Sequence, residues 1–158
     1  MNLEAKPVVP AWYWAVVVVA LLWNLLGCVA FGMEMFAQDT LMETMTEEQQ
    51  KWARSIPGWI YIVYGAAVIS GTGGSLGLLV RKWWSFPLFA ISLPSVLVQM
   101  GYTVIIAGGM KVMGPSGLVM PALVVVVAGA LLWFSQSARS KAWLGSRSSP
   151  GQTPELPA

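Results

Sequence analysis

The sequence predicts an all-α fold, an integral membrane four-helix bundle, and three observations predict it. Hydrophobic residues make up 56% of the 158-residue chain and charged residues only 10%, where a soluble domain carries about 25% charged residues. The charges gather in residues 34–54, at Arg81-Lys82 and from Arg139 onward. The uncharged apolar runs between them exceed ~18 residues, a length that reads as a membrane span.

The first span is expected over 12–33. It opens with the cluster Trp12-Tyr13-Trp14, and aromatic residues at span ends suit the headgroup belts of a bilayer. The second is expected over 58–80, after Pro57. The third is expected over 84–108, with Pro87 in its first turn and a kink at Pro94. The fourth is expected over 118–135, closed by Trp133-Phe134. Lys and Arg in short loops set orientation. Lys6, Arg81, Lys82, Arg139, Lys141 and Arg147 fall on one side, Lys51, Arg54 and Lys111 on the other. The richer side is cytoplasmic, so both termini are expected there.

Residues 34–57 form the largest polar segment, an outer loop. Thr46-Glu47-Glu48-Gln49 fits a capping box, with Thr46 as N-cap and Gln49 at the third helical position. Trp52 and Ile56 share a face of the helix that follows. A short amphipathic helix lying at the membrane interface is expected. Residues 1–11 and 136–158 are expected to be cytoplasmic, the tail disordered from about 145, where Gly, Ser and Pro dominate.

Composition also excludes function classes. A net charge of +2 without a basic stripe speaks against nucleic acid as a partner. Histidine is absent, which removes the commonest general base and the usual zinc ligand. No catalytic constellation, cofactor or metal is therefore expected, and the chain reads as a non-enzyme. One cysteine, Cys28, rules out an internal disulfide.

The stretch GTGGSLG, residues 71–77, raises two readings. It does not meet the G-x-G-x-x-G spacing, because residue 76 is leucine, and it lies inside a span. Ala67, Gly71 and Ser75 recur every four residues, as do Gly73 and Gly77. These are small-xxx-small stripes, which let helix backbones approach closely. They are read as a helix-packing face.

Polar residues are expected to meet at one depth. Asn24 lies twelve residues after Trp12 and Gln99 twelve after Pro87, which puts both ~18 Å into the membrane. Thr72 reaches a similar depth from the second span, and Tyr102 stands near Gln99. Asn24, Thr72, Gln99 and Tyr102 form a candidate substrate-binding set for an uncharged solute; the alternative is hydrogen bonding between helices. Three other features have competing readings. Met33, Met35, Met42, Met45, Met110 and Met113 cluster toward the outer face and suit copper(I) or gap-filling. Leu25-Leu26-Gly27-Cys28 looks like a lipobox, but the apolar run continues to Met33, so Cys28 is read as a buried small residue. Glu34 ends the first span and is read as interfacial, the alternative being a gating or ligand role for which the sequence names no partner.

Several stretches resemble a family of small four-helix bacterial membrane proteins: ALLWNLLG (20–27), GSLGLLVRKWW (74–84), SFPLFAISL (85–93), GPSGLVMPALV (114–124) and LLWF (131–134). Some members carry a label of sugar transporter. The resemblance covers roughly residues 11–144 and implies four spans in a bacterial inner membrane; it assigns no site residues. Two functions are carried forward. One is a structural or accessory membrane protein that assembles, as a homo-oligomer or in a larger membrane complex, through the glycine face. The other is a small-solute, even sugar, transporter with a neutral polar site at the midplane.

Overall fold

A computed structural model describes residues 8–145. Four of its helical segments are long and apolar enough to cross a membrane. The first is α1 (Ala11–Phe36), followed by two short helices, α2 (Gln38–Glu43) and α3 (Glu47–Ser55). Next come α4 (Gly58–Leu79) and α5 (Ser85–Gly101), the latter prolonged by a π turn over Tyr102–Ile106. A short α6 (Gly109–Met113) and a 3₁₀ turn (Pro115–Leu118) lead into α7 (Val119–Ser140). The end carrying α2, α3 and α6 is called the cap end below, and the other the terminal end.

The capping box forms as the sequence predicts. The Gln49 N–H donates to Thr46 Oγ1 at 3.3 Å and the Thr46 N–H donates to Gln49 Oε1 at 3.0 Å. Two expected boundaries move. The segment after α1 folds a second short helix, α2, and α7 continues past residue 135 to Ser140. Trp143 and Leu144 then turn back onto the bundle, with Leu144 buried. Helix α5 runs through Pro94 without a break; its departure from α geometry comes two turns later, where the Ala107 N–H reaches back to the Tyr102 carbonyl at 2.8 Å. The tail from residue 146 and the first seven residues lie outside the described part.

Helix α4 is the hub, and its sequence explains why. It is the most enclosed of the four long helices. Its small residues let α1 approach on one side and α5 on the other. Each contact also carries interhelical hydrogen bonds. On the α1 side the Tyr13 hydroxyl donates to the Leu78 carbonyl at 2.7 Å and Asn24 Nδ2 donates to Ser75 Oγ at 3.0 Å. On the α5 side Ser85 Oγ donates to the Gly74 carbonyl at 2.8 Å and Ser92 Oγ to the Ala67 carbonyl at 3.0 Å. Such interhelical bonds average about 0.6 kcal/mol each in a membrane. Helix α7 packs on α5 and completes the bundle.

The apolar core sits at the terminal end. Tyr13, Val17, Leu78, Phe89, Phe134 and Ala138 are buried together there. Tyr13 is the centre: its ring lies 5.5 Å from Phe134 and 5.7 Å from Trp143. Trp12 packs edge-on to the same two rings at 5.9 and 5.5 Å. These aromatic contacts tie the start of α1 to the end of α7.

Candidate functional site

Toward the cap end α1 and α7 part. The space between them is a cleft of about 380 Å³, backed by α4 and α5. Its walls are Leu26, Gly27 and Ala30 from α1 and Val124, Val127 and Ala128 from α7. The floor is Phe89 and Leu131, the top of the apolar core. A second cavity, also about 380 Å³, lies above it under the cap. Met42, Met45, Trp52, Ile56 and Met113 surround this upper chamber. The two cavities adjoin, because Glu34, Gln99, Met100, Met120 and Pro121 line both. Those five residues form a neck.

Leu26 and Met120 line the cleft and are also 65% and 61% exposed. The cleft therefore opens on the flank of the bundle, among side chains suited to hydrocarbon.

The four residues expected to form one polar set separate in the structure. Asn24 and Gln99 line the same cleft. Thr72 lines neither cavity; it faces α1, where its Oγ1 lies 3.2 Å from Cys28 Sγ. Tyr102 lines neither cavity and stacks edge-on against Trp59 at 5.2 Å. The expected common depth is also corrected. Asn24 and Ser92 both sit against Gly71, where an added Cβ would meet Asn24 Oδ1 and lie 3.2 Å from Ser92 Oγ. Asn24 is thirteen residues after Ala11 and Ser92 seven after Ser85, so α5 starts six residues, ~9 Å, further into the bundle than α1. Gln99 is seven residues beyond Ser92 and stands ~10 Å above Asn24, at the neck.

The glycine face is engaged within the chain. A Cβ at Gly74 would lie 2.9–3.0 Å from the Phe89 ring, and one at Gly77 would lie 2.9 Å from Ser85 Cα. At Gly73 the only contact would be Leu88 Cδ1 at 2.9 Å. Ala67 and Ser75 are buried and accept their neighbours' hydrogen bonds, through the Ala67 carbonyl and Ser75 Oγ.

Hydrogen-bonding capacity in the two cavities is unevenly used. Asn24 Nδ2 is engaged by the Ala20 carbonyl at 2.9 Å and by Ser75. Ser92 donates to α4. The Gln99 amide, the Tyr64 hydroxyl and the Glu34 carboxylate make no side-chain hydrogen bond or ion pair among the described residues. In the roof, the Trp52 indole N–H is buried with no acceptor among the described residues. Two of these free polar groups, Glu34 and Gln99, stand at the neck, while Tyr64 lines the mostly apolar cleft and Trp52 the chamber.

The methionines divide. Met42, Met45 and Met113 surround the upper chamber, joined by Met100 and Met120 of the neck. Met33, Met35 and Met110 are exposed and line neither cavity. Cys28 is half-buried in the middle of a continuous α1.

Sequence reasoning missed Ser92, Met100, Met120 and the neck position of Glu34. Glu34 was findable: it is the one acidic residue within the four long apolar segments. Ser92 was hidden by counting all spans from one height. Comparisons with protein-family models, with curated proteins and with solved structures find no match.

Proposed function

We propose that the chain is a multi-pass protein of a bacterial inner membrane, with both termini cytoplasmic, that binds and carries a small molecule in the cleft between α1 and α7. The Lys and Arg balance supports the orientation, and the resemblance to four-span bacterial proteins supports the membrane. Helix α3 then lies at the outer interface with its Trp52 face over the upper chamber. One observation carries the functional reading: a flank-opening apolar cleft adjoins a capped chamber, with unengaged polar groups at the neck between them. Mostly apolar walls with a few convergent polar groups are the usual composition of a small-molecule site, and about 380 Å³ lies at the small end of the usual size range.

Its chemistry narrows the solute. A sugar carries a hydroxyl on almost every carbon, and most of these would face Val124, Val127, Ala128 and Leu131 without partners, which is costly. An amphipathic molecule, apolar over most of its length with one polar end, matches the walls and the neck. The assembly reading has less support, because α1 and α5 already cover the glycine face of α4. A homo-oligomer or larger complex would have to form through the lipid-facing sides of the helices. Catalysis has less support still: among the described residues Glu34 is the only carboxylate lining either cavity, and the sequence holds no histidine to pair with it.

Filling the cleft tests the reading. Ala128 is half-buried in its wall. After gentle extraction from native membranes, native mass spectrometry is expected to show the protein retaining a small molecule, and Ala128→Trp is expected to lose it while staying folded. Equal retained mass in both proteins, or none in either, contradicts a ligand in the cleft.

A further inference from the structure

The geometry points to an organic cation, a single-chain amine with an apolar body, as the class of molecule the cleft takes, with Glu34 holding its charged end at the neck. This inference rests on reading the cleft as a ligand site and names what fills it.

Charge complementarity carries it. Among the described residues Glu34 is the only charged residue lining either cavity, and no Lys or Arg lines them. It forms no ion pair among the described residues and remains accessible. A cation seated at the neck would meet one carboxylate of opposite charge and otherwise mostly apolar walls. The neighbouring groups suit an ammonium. Gln99 offers a free carbonyl oxygen at the same neck. Tyr64 and Tyr61 line the cleft and the chamber beside Glu34, and their rings supply the faces to which cations are drawn.

The apolar body has two places to go. Below the neck lies the cleft, open on its flank to molecules dissolved in the hydrocarbon. Above it lies the chamber, walled by Met42, Met45, Met100, Met113 and Met120. Methionine is unbranched and polarisable and adapts to bodies of different shape. A cavity of about 380 Å³ holds a single-chain amine whole, whereas a two-chain phospholipid would have to leave its chains outside, and the free single-chain molecule is the occupant proposed. An anionic amphiphile would meet Glu34 with like charge.

The test uses the full chain in phosphatidylcholine nanodiscs, with tritiated octylamine as probe, read by scintillation proximity, and octanol as the neutral competitor. Octylamine is expected to bind saturably. Octanol is expected to compete at least about tenfold less well, and Glu34→Gln to weaken binding by about tenfold or more. Glu34→Asp, which keeps the charge, is expected to retain most of the affinity and guards against a misfolded Gln variant. If octylamine and octanol bind alike, both are indifferent to Glu34→Gln and both are lost in Ala128→Trp, the cationic class is overturned and the cleft remains a ligand site. If neither binds, both readings fall. If phosphatidylethanolamine added to the discs displaces octylamine, the site takes a lipid headgroup and the free-amine assignment is overturned.

Discussion

Gly77→Leu is expected to be the most damaging single change in the membrane-spanning part. The reason lies in what a side chain would strike. A Cβ at Gly77 would stand 2.9 Å from both Ser85 Cα and Cβ and 3.0 Å from the Trp84 ring. Backbone cannot rotate aside as a side chain can. The α4–α5 hairpin would have to open, and the bond from Ser85 Oγ to the Gly74 carbonyl would be lost with it. Overpacking of this kind costs about 1–3 kcal/mol for a single added methyl, and leucine exceeds that. Against a stability of about 5–15 kcal/mol this is a large share. Gly73→Ala is the control. Its Cβ would meet only the Leu88 Cδ1 methyl at 2.9 Å, the end of a rotatable side chain. A cost under ~1 kcal/mol is expected there. Unfolding in mixed micelles, followed by circular dichroism as denaturing detergent is raised, ranks the two. Gly77→Leu as stable as Gly73→Ala would contradict the close approach of α4 and α5.

Tyr13→Ala comes next. The side chain is fully buried, and it packs against Trp14, Phe134 and Trp143. Truncating a buried aromatic costs about 3–5 kcal/mol. Its hydroxyl also satisfies the Leu78 carbonyl at 2.7 Å, so Tyr13→Phe isolates a smaller part, about 0.5–1.5 kcal/mol. The position has a second consequence. Tyr13 joins α1 to α7 and α4 below the floor of the cleft, so its loss frees the two cleft walls from their common anchor. Tyr13→Ala is therefore expected to lower stability and to weaken retention of the proposed cleft ligand, whereas Tyr13→Phe is expected to keep it. The same micelle titration, paired with native mass spectrometry, separates the two effects. Ligand retention unchanged in Tyr13→Ala would show that the terminal-end aromatic cluster does not hold the cleft.

Much of this architecture was legible in the sequence because its causes are local. Long uncharged runs mark the spans, and the capping box at Thr46 needs only residues three apart. The small-residue stripe on α4 was legible as a packing face. Its partners were not, since a stripe does not say whether α1, α5 or a second copy will cover it. The site was legible only in part. Asn24 and Gln99 share the cleft, but their heights depend on where each helix starts relative to α4, which Ser85 and Ser92 set through tertiary bonds. Tyr102 is three residues past Gln99, about 60° round an ideal helix, and Trp59 takes its ring. Thr72 is five residues past Ala67, on the face that meets Cys28. The cleft itself lies between α1 and α7 beyond the aromatic contacts that join their ends, a three-dimensional fact without a sequence signature.

Photolabelling tests the cleft most directly. A diazirine-bearing aliphatic alcohol, neutral and short, is added to the protein in native membranes and cross-linked by light, and the labelled residues are mapped by mass spectrometry. Labels concentrated on Leu26 and Ala30 of α1 and on Val124, Val127 and Ala128 of α7, and displaced in Ala128→Trp, are the predicted result. Labels spread over the lipid-facing side chains Val19, Ile62, Ile69 and Ile105 in proportion to their exposure, 66%, 75%, 73% and 75%, would show that the cleft holds no molecule in preference to the surrounding surface, and would contradict the proposed function.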